Sequence, residues 1–131
     1  MNTLKIFSIA LLSSVTLGFS QDVNQARKAV DAEQYEKAKS ILKTIIKTNP
    51  IDGRANFILG NVYLIQTVTD SAKISFQRGL AGTEGSRLNY IGWGTIDLDN
   101  GNGTAAEAKF ALALKDAKKK DIEELTAIGR A

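Results

Sequence analysis

Apolar residues recur along this chain in steps of three and four. The stretch "YEKAKSILKTIIKTNP" (35–50) sets Ile41, Leu42, Ile45 and Ile46 at helical spacing. Lys39, Lys43 and Lys47 line another face, expected to be a solvated outer wall, and Pro50 ends the run. One apolar face opposite a charged one predicts an amphipathic helix laid on a core. Further on, "ANFILGNVYLIQ" (55–66) predicts a helix, "TVTD" a turn, and "SAKISFQRGL" (71–80) a partner helix. The same order returns in "LNYIGWGTIDLDN" (88–100), "GNG" and "TAAEAKFALALKDAKKK" (104–120). Gly101 and Gly103 suit the turn, because glycine enters left-handed backbone at little cost. Thr104, with Glu107 three residues later, predicts a capping box at the start of the last helix.

These helix pairs repeat at a constant period. With a shift of 34 residues, Ala38 falls on Ala72 and then on Ala106. Leu42 falls on Phe76 and Phe110, Ile45 on Gly79 and Ala113, and Ala26 on Gly60 and Gly94. Two antiparallel helices pack with their axes about 8–10 Å apart, so the crossing needs small side chains. Gly60 with Ala72, and Gly94 with Ala106, supply them, while Leu59, Tyr63 and Phe76 fill the surrounding space. A two-helix unit cannot bury its apolar face alone, so neighbouring units must stack on it. The expected fold class is all-α.

The columns carry a family resemblance. "LGNVY" (59–63), followed by Ala72 and Phe76, resembles the tetratricopeptide repeat, whose 34-residue pattern runs Trp, Leu-Gly, Tyr, then Ala and Phe, then Pro. "YEKA" (35–38) is similar to the opening of that family's second helix, and Pro50 stands where a repeat closes. The resemblance covers about 19–131. It implies a right-handed helix-turn-helix solenoid with repeats at about 21–52, 53–86 and 87–121, and a partial fourth at 122–131. Departures are Asp22 and Gln25 in the Trp and Leu columns, Trp93 in a Leu column, Asp97 in a Tyr column, and Glu84 and Lys118 in place of Pro. They suggest an end-capping first unit and looser loops between units. In "DIEELTAIGRA", one extra loop residue brings Leu125, Ile128 and Gly129 into the Trp, Leu and Gly columns. The expectation is an N-terminal piece of a longer repeat protein; the alternative is that this last helix is itself a crude cap.

The first twenty residues stand apart. Lys5 closes a short basic region, no charged residue follows from Ile6 to Phe19, and Gly18 and Ser20 precede Gln21 at cleavage-site spacing. That layout predicts a secretory signal peptide at 1–20, with a retained anchor as the alternative. Export from a bacterium to the periplasm, cell envelope or exterior is the expected localisation, with no membrane span after cleavage. The net charge of +3 includes Lys5, so the remainder is close to neutral and gives nucleic-acid binding no support. The chain has neither Cys nor His, which removes thiol and imidazole chemistry and lipid attachment at a cysteine.

Local motifs fare no better as chemistry. "DLDNGNG" (97–103) misses the EF-hand pattern at the fifth place (Gly101 for an oxygen ligand), the sixth (Asn102 for glycine) and the twelfth (Ala108 for glutamate), which leaves an inter-helix turn. "KDAKKKD" (115–121) reads as solvated charge at a helix end. "GTEG" (82–85) follows a helix and lacks the Lys-Ser/Thr of a phosphate loop. Trp93 and Phe76 sit at core spacing. No catalytic residue, metal site or cofactor is expected, and the chain is read as a non-enzyme. The resemblance implies a partner-binding concave face lined by the first helices. Arg27, Asp31, Phe57, Asn61, Leu64, Ile65, Ile91, Thr95, Leu98 and Asp99 are the expected lining. The expected function is a scaffold or adaptor for a peptide or protein segment. The alternatives are a non-catalytic helical segment of a larger envelope enzyme or transport assembly, or a carboxylate enzyme.

Overall fold

The computed structural model describes residues 22–122, which contain helices and no strand. Helix α1 is described over 22–31. It is followed by α2 (Tyr35–Thr48), α3 (Gly53–Ile65), α4 (Thr69–Leu80), α5 (Ser86–Asp99) and α6 (Gly103–Leu114). A further helix, α7, is described over 119–122. The expected leader, and Gly129 with most of the expected fourth unit, lie outside the described residues.

The helices pack in neighbouring pairs, α3 against α4 and α5 against α6, while α2 and α5 also meet α3 and α4 meets α5. No pair closes a core of its own. Val23 and Ala26 of α1, Leu42 and Ile45 of α2, and Ala55 and Leu59 of α3 form one apolar cluster. Phe57, Ala72, Phe76, Leu88 and Ile96 carry the same arrangement from α3 through α4 to α5. Helices α2 and α4 are thus buried partly by their own partners and partly by the next pair, as stacked units require.

Close approach sets the register. Ala38, Ala72 and Ala106 are 0%, 0% and 1% exposed. A Cβ on Gly60 would run into the Phe76 ring, and one on Gly94 would meet the Phe110 ring. The small-against-large contact therefore recurs at the spacing read in the sequence. Asp52 caps α3, its Oδ1 accepting the Ala55 N–H at 2.8 Å. Pro50 lies between α2 and α3, where the helical run was expected to end. Gly85 and Gly101 take the left-handed backbone, φ 72° and 78°, at the loops before α5 and α6.

Three local expectations are corrected. Helix α6 stops at Leu114 instead of running through the lysines to 120. The carbonyls of Ala113 and Asp116 accept from Arg87 at 3.3 and 3.2 Å, and that of Lys115 also accepts from it. These bonds satisfy the end of the helix, and Asp116 turns to φ 54°. The capping box at Thr104 is not formed: α6 starts at Gly103 with Asn102 at its cap position and no side-chain cap. The bond from Asn102 N–H to Asp97 O, 2.8 Å, closes the preceding turn, and the cap position falls two residues before Thr104. Finally, the lysine face of α2 is not uniformly solvated. Lys43 and Lys47 are exposed, but the Lys39 side chain is only 16% exposed, paired with Glu36 and lying 5.9 Å from the Tyr63 ring centroid.

Candidate functional site

Helices α1, α3 and α5 are the first members of successive pairs and carry the residues expected to meet a partner. Arg27 and Asp31 of α1 are exposed. On α3, Asn61 and Leu64 are half-buried and Ile65 is 52% exposed. On α5, Ile91 and Thr95 are half-buried, Leu98 is 56% exposed and Asp99 is exposed. Thr95 turns its hydroxyl back to the Ile91 carbonyl at 3.0 Å, which leaves the oxygen lone pairs for a neighbour. The contact between α3 and α5 places these residues on adjacent helices. Phe57 does not join them. It is 6% exposed and faces Phe76, ring centroids 6.2 Å apart and tilted by 43°. An aromatic ring in the first turn of α3 falls on the side that α4 and α5 cover, so Phe57 is a core residue and not a groove residue.

Trp93 was expected to be packing, and it does pack on the cluster around Phe76. It is only half-buried, and two cations attend it. Lys109 Nζ lies 4.8 Å and Lys73 Nζ 5.9 Å from its ring centroid. Lys109 also pairs with Asp97. The Asp97 that interrupts the Tyr column thus holds a lysine against the indole, a contact worth about 0.5–1 kcal/mol when exposed and more when desolvated.

A second surface lies at the loops between pairs. A cavity of about 450 Å³ is lined by Arg54, Glu84, Gly85, Arg87, Lys120 and their neighbours. Arg54 pairs with Glu84 at 3.4 Å, and Arg87 is committed to the carbonyls at the end of α6. Each arginine therefore ties the start of a first helix to the end of its own pair or to the loop that follows it. Beside them, Asn56 and Asn89 are fully buried. Asn56 Nδ2 donates to the Pro50 and Asp52 carbonyls at 3.0 and 2.8 Å. Asn89 Nδ2 donates to the Gly53 and Gly85 carbonyls at 2.9 and 3.3 Å. Each amide thus stitches the start of its helix to the loop before it, or to the previous pair.

These residues were missed in the sequence because they do not follow the 34-residue shift. Asn56 and Asn89, like Arg54, Arg87 and Lys120, recur at 33 residues, counted from the helix starts instead of the crossings. A search at both shifts finds them. No group of three or more acidic residues, the only metal-binding types present, is placed to hold a metal ion among the described residues. One carboxyl stands out: the Lys39 ammonium, and after it the Gln66 amide, hold Glu36 below its ordinary value. No described helix is long and apolar enough to cross a membrane. A scan against family models finds no match, and searches of curated proteins and of solved structures find none either.

Proposed function

We propose that this chain is a tetratricopeptide-type scaffold that binds a peptide or protein segment across the first helices of its pairs. The observation that supports the reading is the exposure of Ile65 and Leu98 on adjacent helices. They lie on the same helices as the polar Asn61, Thr95 and Asp99, with Arg27 and Asp31 on α1. Buried aliphatic anchors with a polar surround are what a segment-binding surface needs. The activity is non-catalytic and needs no cofactor. The chain works after export, in the periplasm, the cell envelope or outside the cell, once residues 1–20 are removed. The helical array belongs to the right-handed solenoids that the repeat family builds.

A photo-crosslinking residue in place of Leu98 tests the binding reading in cells. A partner should be trapped from Leu98 and from Ile65, and not from Ile74, which is equally exposed on α4. Ile65→Asp should abolish the trapping from Leu98. Equal trapping from all three positions, or none, contradicts the assignment.

A further inference from the structure

The two edges of the array carry opposite charge. Each hairpin turn joins a first helix to its partner, and the exposed ionised groups near these turns are chiefly acidic: Asp31, Glu33, Glu36, Asp70, Asp99 and Glu107. Gln66 Nε2 of the second turn donates to Glu36 Oε1 of the first at 3.2 Å, so those turns stand side by side. At the other edge, where one pair leads to the next, the exposed groups are chiefly basic: Lys47, Arg78, Lys115, Lys118 and Lys120. The Arg54–Glu84 pair and the bonds from Arg87 to the 113–116 carbonyls tie these loops into one row. Lys28, Lys37 and Lys73 stand at the acidic edge, and Glu84 and Asp116 at the basic one; the prevailing sign of each edge survives them.

Part of this polarity has a local cause. The second helices run parallel, and an acid in the first turn and a base in the last suit each macrodipole, as with Glu36 and Lys47 in α2 and Asp70 and Arg78 in α4. The dipole does not account for what lies between the charges. Ile65, Val68 and Leu98 are 52%, 43% and 56% exposed at the acidic edge. Ile51 and Leu114 are 46% and 56% exposed at the basic edge. Both edges therefore pair exposed aliphatic side chains with a single prevailing sign, and the two signs are complementary.

We propose that the acidic turn edge of one copy docks on the basic loop edge of a second copy of this chain. The contact is heterologous, since each copy keeps one free edge of each sign. Such contacts generate rings or open filaments instead of closed two-fold dimers. This association shares Ile65 and Leu98 with the proposed segment-binding face, but it also requires the basic loop edge, so charge reversal at Lys47, Arg78 and Lys118 tests it separately from segment binding.

Sedimentation of the 131-residue chain at rising concentration, in low and high salt, is the test. The Debye length shrinks from about 30 Å at 0.01 M to about 3 Å at 1 M, so edge pairing should weaken about tenfold or more across that range. Clustering through the apolar 6–19 stretch would instead strengthen with salt. Two variants then address the edges themselves: Glu33→Lys/Asp70→Lys/Glu107→Lys and Lys47→Glu/Arg78→Glu/Lys118→Glu. Each alone should be monomeric in low salt, and an equal mixture should associate one to one, which also shows that both are folded. A wild-type chain that stays monomeric in low salt, association that salt strengthens, or variants that remain apart when mixed would overturn the proposal.

Discussion

Phe76 and Phe110 occupy equivalent places, yet one is sealed and the other is not. Phe76 is 0% exposed, with Gly60 of its own pair on one side and Gly92 of the next pair on the other. Phe110 meets Gly94 of its own pair and is only half-buried. The helices that carry them differ in the same way. Among the described residues, helix α4 lies against α3 and α5, while α6 packs on α5, with Leu112 and Leu114 45% and 56% exposed. In a stack, part of each unit's burial comes from its neighbour. One sequence column therefore carries different energetic weight at different places in the array.

Truncation of the two rings should show the contrast most strongly. Phe76→Ala should cost about 3–5 kcal/mol in urea unfolding, the range for emptying a closed core site. Phe110→Ala should cost about 1–2 kcal/mol, because a half-exposed ring leaves less cavity behind. Equal losses would break the comparison. Overfilling the crossings comes next. Gly60→Leu should destabilise by roughly 1–3 kcal/mol, since the sealed Phe76 ring has nowhere to move. Gly94→Leu should cost less than about 1 kcal/mol, because Phe110 can swing toward solvent.

The arginine clamps at the loop edge give a smaller difference. Arg87→Ala removes bonds to three carbonyls at the end of α6 and should cost about 1 kcal/mol, read from the thermal midpoint. Arg54→Ala removes a partly exposed pairing with Glu84 and should cost no more than about 0.5 kcal/mol. The smallest effect belongs to Glu36. Its carboxyl is held below the ordinary value by Lys39 and then Gln66, so the ionised form stabilises the fold at neutral pH. That contribution is lost as pH falls below the ordinary carboxylate range and through the depressed value. Glu36→Gln should therefore lower the thermal midpoint slightly at neutral pH and leave it unchanged in strong acid.

Much of the packing was legible from residue size. A column that alternates small, large and small at 34 residues marks helix crossings, since only small side chains permit close approach. Ala38, Ala72 and Ala106, with Phe76 against Gly60, occupy the places that this reasoning assigned them. What the columns could not show was direction. Phe57 and Ile65 both look like groove residues on a helix that is apolar nearly all round, and only the packed neighbours separate them. The end of α6 was illegible for another reason: it is set by Arg87, 26 to 29 residues away, and by no local stop signal. The candidate face was read from family resemblance, which carries no information on which side of α3 Phe57 falls; the ring is buried in the core.

Native-state hydrogen exchange, resolved by helix, tests most directly whether burial is shared between neighbouring pairs. The amides of α3 and α4 should exchange only through openings close to global unfolding, while those of α6 should exchange through an opening about 2 kcal/mol or more smaller. Equal protection of α4 and α6, or stronger protection of α6, would contradict the account.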